Sequence, residues 1–137
     1  MVWTFRCYIE PRQRERPKAD QQDIVEQWVS KIDNDGFAAK LDTRLKYLAQ
    51  QPRSLWELPS FRLLHGDCDG LGELRFLHDR VQQRLLGAAT GEAEYTWLFA
   101  ATEKGGKLVP KVACKIALMR LDEVIQDRSN ARACDRN

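Results

Sequence analysis

No apolar run in the 137 residues approaches the ~18 that a membrane-crossing helix needs. The opening stretch, MVWTFRCYIEPRQRER, lacks a basic region followed by a long apolar one, so it does not read as a secretory signal. The expected location is therefore the cytoplasm, with no membrane partner. Histidine is scarce, at two positions, and the four cysteines (Cys7, Cys68, Cys114 and Cys134) contain no Cys-x-x-Cys pair. His65 lies shortly before Cys68, but that pair alone does not complete a tetrahedral zinc site, so no metal is expected. The cysteines are expected to be free thiols, some of them buried. Charge of one sign is also missing: Lys and Arg number 22, Asp and Glu 20, for a net +2. No internal repeat or low-complexity tract is present. The 43% hydrophobic and 31% charged residues fit an ordinary globular domain, and the length favours one domain.

The cations that are present cluster. Arg12, Arg14, Arg16 and Lys18 lie near the N-terminus, and Lys104, Lys107, Lys111 and Lys115 lie before the closing segment. Such clusters suit a phosphate-bearing partner, and they also suit a solvated surface.

Periodicity divides the chain. VWTFRCYIE alternates and is rich in aromatic and β-branched residues, which predicts a strand over Val2–Glu10. PRQRERPKADQQD reads as a loop, broken by Pro11 and Pro17. Ile24, Val25, Trp28, Val29 and Ile32 have helical spacing, and DNDG stops that helix, with Gly36 suited to a left-handed turn. Phe37, Leu41, Leu45 and Leu48 then form one stripe, predicting a helical hairpin that Pro52 ends. Strands are predicted near Phe61–Leu64, Gly72–His78, Gln82–Ala88 and Tyr95–Ala101, joined by short links and so antiparallel. EKGGK is a turn, and Pro110 fits the first turn of a closing helix carrying Val112, Ile116, Leu121, Val124 and Ile125 on its apolar side. The end, DRSNARACDRN, is polar and is expected to fray. The sum is an α+β domain over residues 1–126 with helices on one face of a small antiparallel sheet, and a polar tail over 127–137.

Within GLGELRF, alternation puts Glu73 and Arg75 on one face and Leu74 and Phe76 on the other. His78 then falls on the Phe76 side, away from Arg75. His65 lies in the turn before GDCDG, which lacks the spaced acidic ligands of a calcium loop. Both histidines are expected to be incidental. Tyr95 reads as a core or sheet-surface tyrosine, with a hydroxyl or base-stacking role as the alternative, and Trp3, Trp28, Trp56 and Trp97 read as core or partner-facing residues.

These residues resemble the phage-derived branch of the RelE/HigB-type toxins of bacterial toxin–antitoxin pairs. Leu71, Glu73, Leu74 and Arg75 match that family's Leu-x-Glu-Leu-Arg strand, and Arg84 falls at the arginine of the next strand. Lys104 and Lys107 fall in its lysine-rich turn, and Pro110, Ala117 and Arg120 match its closing helix. Gln83 stands where the family has an aromatic, Val109 where it has Thr, and Gly105 and Gly106 split its lysine pair.

The resemblance implies a RelE-like fold, with the helical hairpin on one face of the sheet. It also implies an endoribonuclease acting on mRNA with the ribosome, without metal or cofactor, and neutralised by an antitoxin. The antitoxin is expected to be a helix-turn-helix protein encoded by the adjacent gene. The reaction needs a base for the ribose 2′-hydroxyl, an acid for the leaving 5′-oxygen, and cations on the phosphoryl oxygens. The expected catalytic residues are Arg75, Arg84, Lys104 and Lys107, with Lys111 joining them in RNA binding. The plain alternative for Arg75 is an ion pair at the surface with Glu73 or Glu57. Other functional readings are a ParE-like toxin that binds DNA gyrase without cutting RNA, and a phage-derived protein that keeps only the fold.

Overall fold

The computed structural model describes residues 2–136; Met1 and Asn137, the outer ends of the two expected segments, lie outside it. It is an α+β domain built on a seven-stranded mixed sheet. Strand β1 spans Thr4–Tyr8, and the expected loop after it holds one helical turn, α1, Pro11–Arg14. The helical hairpin is present as α2 (Ile24–Ile32) and α3 (Asp35–Gln50). Buried Asp23 starts α2 by accepting the backbone N–H groups of Val25 and Glu26 at 3.0 and 2.9 Å.

The link between the two helices is tighter than expected. Asp33, not Gly36, takes the left-handed conformation (φ 50°), and Asn34 caps α3 by accepting the Phe37 N–H. Gly36 is already inside the new helix. Aspartate tolerates the left-handed region because its short side chain bonds locally. The α3 stripe of Phe37, Leu41, Leu45 and Leu48 is buried as its spacing predicts.

The strands that follow are β2 (Phe61–Leu63), β3 (Gly72–His78), β4 (Val81–Gly91), β5 (Glu94–Lys104) and β6 (Lys107–Val109), and from β3 on each pairs antiparallel with the one before it. Asp79 and Arg80 turn β3 into β4, and Gly105 and Gly106 turn β5 into the unforeseen β6, all four with positive φ. Two features depart from an antiparallel sheet with a frayed end. Strand β1 inserts beside β5 in parallel, and β7 (Ala131–Ala133) pairs antiparallel with the free side of β1. The tail is therefore the sheet's last strand. Cys134, just beyond it, is bonded to Cys7 in β1 with Cα atoms 5.1 Å apart.

The helices also divide between the two faces. Phe76 of β3 packs against Trp28 of α2 and Phe37 of α3. The closing helix α4 (Ala113–Gln126) lies on the other face, where Arg120 stacks over Tyr8 and Phe99. Its buried residues are Ala113, Cys114, Ala117 and Val124, whereas Val112 and Ile125, expected inside, are exposed. Small side chains let this helix lie close to the sheet. Tyr8 donates to Glu123 of α4 at 2.8 Å, and burial together with that carboxylate pushes the phenol up to about 12.

A bulge in β5 lets one strand serve both faces. Pairing steps from Leu86 opposite Phe99 to Gly87 opposite Trp97, leaving Leu98 as the extra residue. Before the bulge, Tyr95 and Trp97 join Phe5, Trp56 and Phe61 on the hairpin side. After it, Phe99 faces α4. Arg120 donates to the Leu98 carbonyl at 2.9 Å, which fixes the bulge to α4.

Cross-strand neighbours Gly72 and Gly87 lie under the aromatic cluster. A Cβ on Gly87 would sit 2.6 Å from the Trp97 ring and 2.7 Å from the Thr96 carbonyl oxygen. Gly87→Ala is therefore expected to cost about 1–3 kcal/mol, since the backbone on one side cannot yield. Urea unfolding of the variant checks this.

Candidate functional site

Antiparallel pairing sets Arg75 directly opposite Arg84, and Arg62 of β2 opposite Glu73. Their side chains converge on the α4 face. Arg84 also meets Glu103, which the bulge at Leu98 has brought to that face. Three arginines and two glutamates thus form one network with a single net positive charge.

Glu73 is its centre and is fully buried. Its Oε2 lies 3.4 Å from Arg62 Nη2, 3.6 Å from Arg84 Nε and 3.7 Å from Arg75 Nη1. Arg84 is 1% exposed. Its Nε and Nη2 each lie 3.1 Å from Glu103 Oε1, and its Nη1 donates to the Gln83 carbonyl at 2.8 Å. The Arg84 guanidinium is thus engaged on every nitrogen inside the protein. Arg75 is partly exposed, and its Nη1 has no hydrogen-bond partner among the described residues. Burial and the neighbouring Arg84 charge hold the Arg75 guanidinium below its ordinary range. It remains a cation, since arginine stays protonated in proteins.

Next to this network is a groove of about 1150 Å³. It runs between the turn after β2, the β5–β6 hairpin and α4. Arg62, Glu73, Glu103, Lys107, Lys111 and Lys115 all line it. Leu64, Leu108, Leu118 and Met119 add apolar surface to the same lining. A second disulfide, Cys68–Cys114, joins the turn to α4 with Cα atoms 5.2 Å apart, and both cysteines belong to the groove lining. No cysteine is free, so the expectation of free thiols is corrected. The pairing was hidden because the bonded residues are far apart in the chain and meet only through the sheet and α4.

No family model, curated protein or solved structure matches this chain. The geometry alone therefore assigns roles to its residues. Arg75 and Arg84 are brought together on neighbouring strands, but they stand behind Glu73 and Glu103 rather than in the groove. The ion pair of Arg75 with Glu73 is present, in the interior rather than at the surface. Lys107 and Lys111 line the groove, while Lys104 is exposed on the hairpin outside it. The N-terminal cations are not part of this site. Arg14 reaches Ser129 at the β7 edge, and Arg16 lies among Asp20, Glu26 and Asp135.

Neither histidine lines the groove. His78 packs edge-on against Phe37, on the side its alternation predicts, and His65 borders a separate cavity of about 320 Å³ with Arg53 and Tyr95. Tyr95 is a core residue; burial pushes its phenol up, and its hydroxyl donates to the Gly87 carbonyl. Among the described residues no cluster of His, Cys, Asp and Glu is arranged to hold a metal ion. No helix among them is long and apolar enough to cross a membrane.

Two residues of the site, Arg62 and Glu103, were not singled out from sequence. Arg62 alternates with Phe61 in FRLL, a signal too short to distinguish it from any exposed arginine. Glu103 would have been placed on the Tyr95 face by simple alternation, and only the bulge moves it.

Proposed function

We propose that this protein is the toxin of a type II toxin–antitoxin pair, a metal- and cofactor-independent endoribonuclease of the RelE/HigB kind that cuts mRNA on the ribosome. The observation that carries this reading is the lysine rim. Lys107, Lys111 and Lys115 share one groove with Arg62 and Glu103, next to the cross-strand Arg75–Arg84 pair at the matched motif positions. Exposed ammonium groups suit the phosphates of a single strand, and the apolar surface of the same groove suits the faces of unstacked bases. Arg75 and Arg84 then act from behind as a fixed positive charge that positions the two carboxylates, while the lysines make the contacts with RNA. An antitoxin of the helix-turn-helix type, encoded next door, covers the groove. The cytoplasm, where ribosomes are, is the place of action.

A specific observation favours the second reading, a gyrase-binding toxin that cuts nothing. Arg84 spends its donors inside the protein and is closed to phosphate. One experiment separates the two. Induced expression in a bacterial host is expected to arrest growth, with new 5′ ends mapped by primer extension on a translated mRNA. Lys107→Ala/Lys111→Ala/Lys115→Ala is expected to lose both effects. Its binding to single-stranded RNA is expected to show a log–log salt slope shallower by about 0.7 per lysine removed. Arrest with intact mRNA and altered DNA supercoiling would favour the gyrase reading. Absence of arrest would leave a protein that keeps only the fold.

A further inference from the structure

We propose that Glu103 is the general base that activates the ribose 2′-hydroxyl, an assignment that rests on the ribonuclease reading above. Three carboxylates besides Glu103 line the groove, and each is placed differently. Glu73 is fully buried, and Arg62 engages both of its oxygens at 3.4 Å. Asp122 accepts a hydrogen bond from Gln126 at 2.7 Å and sits on the outer wall of α4. Asp67 belongs to the turn after β2 and has no cation fixing it among the described residues.

Glu103 alone is both anchored and open. Arg84 Nε and Nη2 lie 3.1 Å from the same oxygen, Oε1. Among the described residues Oε2 accepts no hydrogen bond, and the side chain is 19% exposed in the groove. A buried arginine thus holds one oxygen still and leaves the other without a hydrogen-bond partner among the described residues, in a groove that three lysines also line. The other groove residues do not supply a base. No histidine lines the groove among the described residues, and a lysine ammonium has no lone pair with which to accept a proton.

The step balances without an added reactant. Oε2 takes the proton of the 2′-hydroxyl as the 2′-oxygen bonds to the adjacent phosphorus. The bond from phosphorus to the 5′-oxygen breaks, and a rim lysine gives the leaving oxygen its proton. The products are a 2′,3′-cyclic phosphate and a 5′-hydroxyl, with nothing oxidised or reduced. Arg84 is then a positioning residue.

The test uses the full-length oxidised protein with an mRNA undergoing translation in a reconstituted bacterial system. Glu103→Gln keeps an oxygen for Arg84 but cannot take up the proton. It is expected to lower the cleavage rate by about 10²–10⁴-fold, while binding to single-stranded RNA stays within about threefold of the native protein. Glu103→Asp, which keeps a carboxylate, is expected to recover part of the rate. The native products are expected to carry the cyclic phosphate, and a 2′-deoxy nucleotide at the scissile position is expected to block cutting. If the native protein cuts and Glu103→Gln cuts within tenfold of it, Glu103 is not the base and the ribonuclease reading survives. A native protein that leaves mRNA intact overturns both.

Discussion

Glu73→Gln is expected to destabilise the protein by about 3–5 kcal/mol, the cost of removing one partner from a buried charge network. The carboxylate has no exposure and lies within 3.7 Å of three guanidinium groups. Arg84, at 2% side-chain exposure, cannot swing out to water. An amide at position 73 leaves Arg84 with Glu103 as its one remaining anion and leaves Arg75 with none within salt-bridge distance. Arg62, half exposed, turns to solvent at little cost. Adding Arg75→Leu to Glu73→Gln is expected to recover part of the loss, because it removes one of the stranded cations. Urea denaturation of the two single variants and the double variant measures the coupling. A loss below about 1 kcal/mol for Glu73→Gln would show that the network is not held by that carboxylate.

Replacing the disulfide at the β1–β7 edge, as Cys7→Ser/Cys134→Ser, is expected to cost about 2–5 kcal/mol. The bond closes a loop with a sequence separation of 127, nearly the whole chain. The groove disulfide spans 46, so the loop-entropy account makes Cys68→Ser/Cys114→Ser milder by roughly 1 kcal/mol. The consequences also differ in place. Without Cys7–Cys134 the three-residue strand β7 keeps its ladder to β1 and the ion pairs of Arg132 with Asp23 and of Arg136 with Glu26 and Asp42. Amide exchange is expected to rise first along β7 and the side of β1 that pairs with it. Without Cys68–Cys114 it is expected to rise in the turn after β2 and at the start of α4, both walls of the groove. Disulfides persist in oxidising surroundings and are rare in the cytosol. Under the proposed cytoplasmic action, a reductant is therefore expected to lower the melting temperature of the native protein and not that of the four-serine variant. Equal melting of both with and without reductant would show that the bonds add no stability.

The candidate site was partly legible. Alternation in GLGELRF placed Glu73 and Arg75 on one face, and Arg84 was expected on the neighbouring strand; the pairing register is what sets Arg84 opposite Arg75. The same alternation placed His78 away from them, where it is found against Phe37. What alternation cannot express is depth. Glu73 and Arg75 read as the outer face of a sheet, yet α4 and the β5–β6 hairpin border that face and turn a solvated surface into a buried charge network. Lys107 and Lys111 were legible as a cluster, but the groove they line depends on where α4 docks.

Local chemistry alone was enough for the helical hairpin, the EKGGK turn and the run of antiparallel strands from β2 to β5. Apolar periods and Gly- or Pro-marked breaks act within a few positions and need no distant partner. Four features required the folded chain: the parallel seat of β1 beside β5, the pairing of β7 with β1, the two disulfides, and the face on which Glu103 lies. The first three join residues between 46 and 127 positions apart, and the energy that selects them comes from packing. The fourth turns on one unpaired residue, Leu98, because strand periodicity is two and a single inserted residue reverses every side chain beyond it.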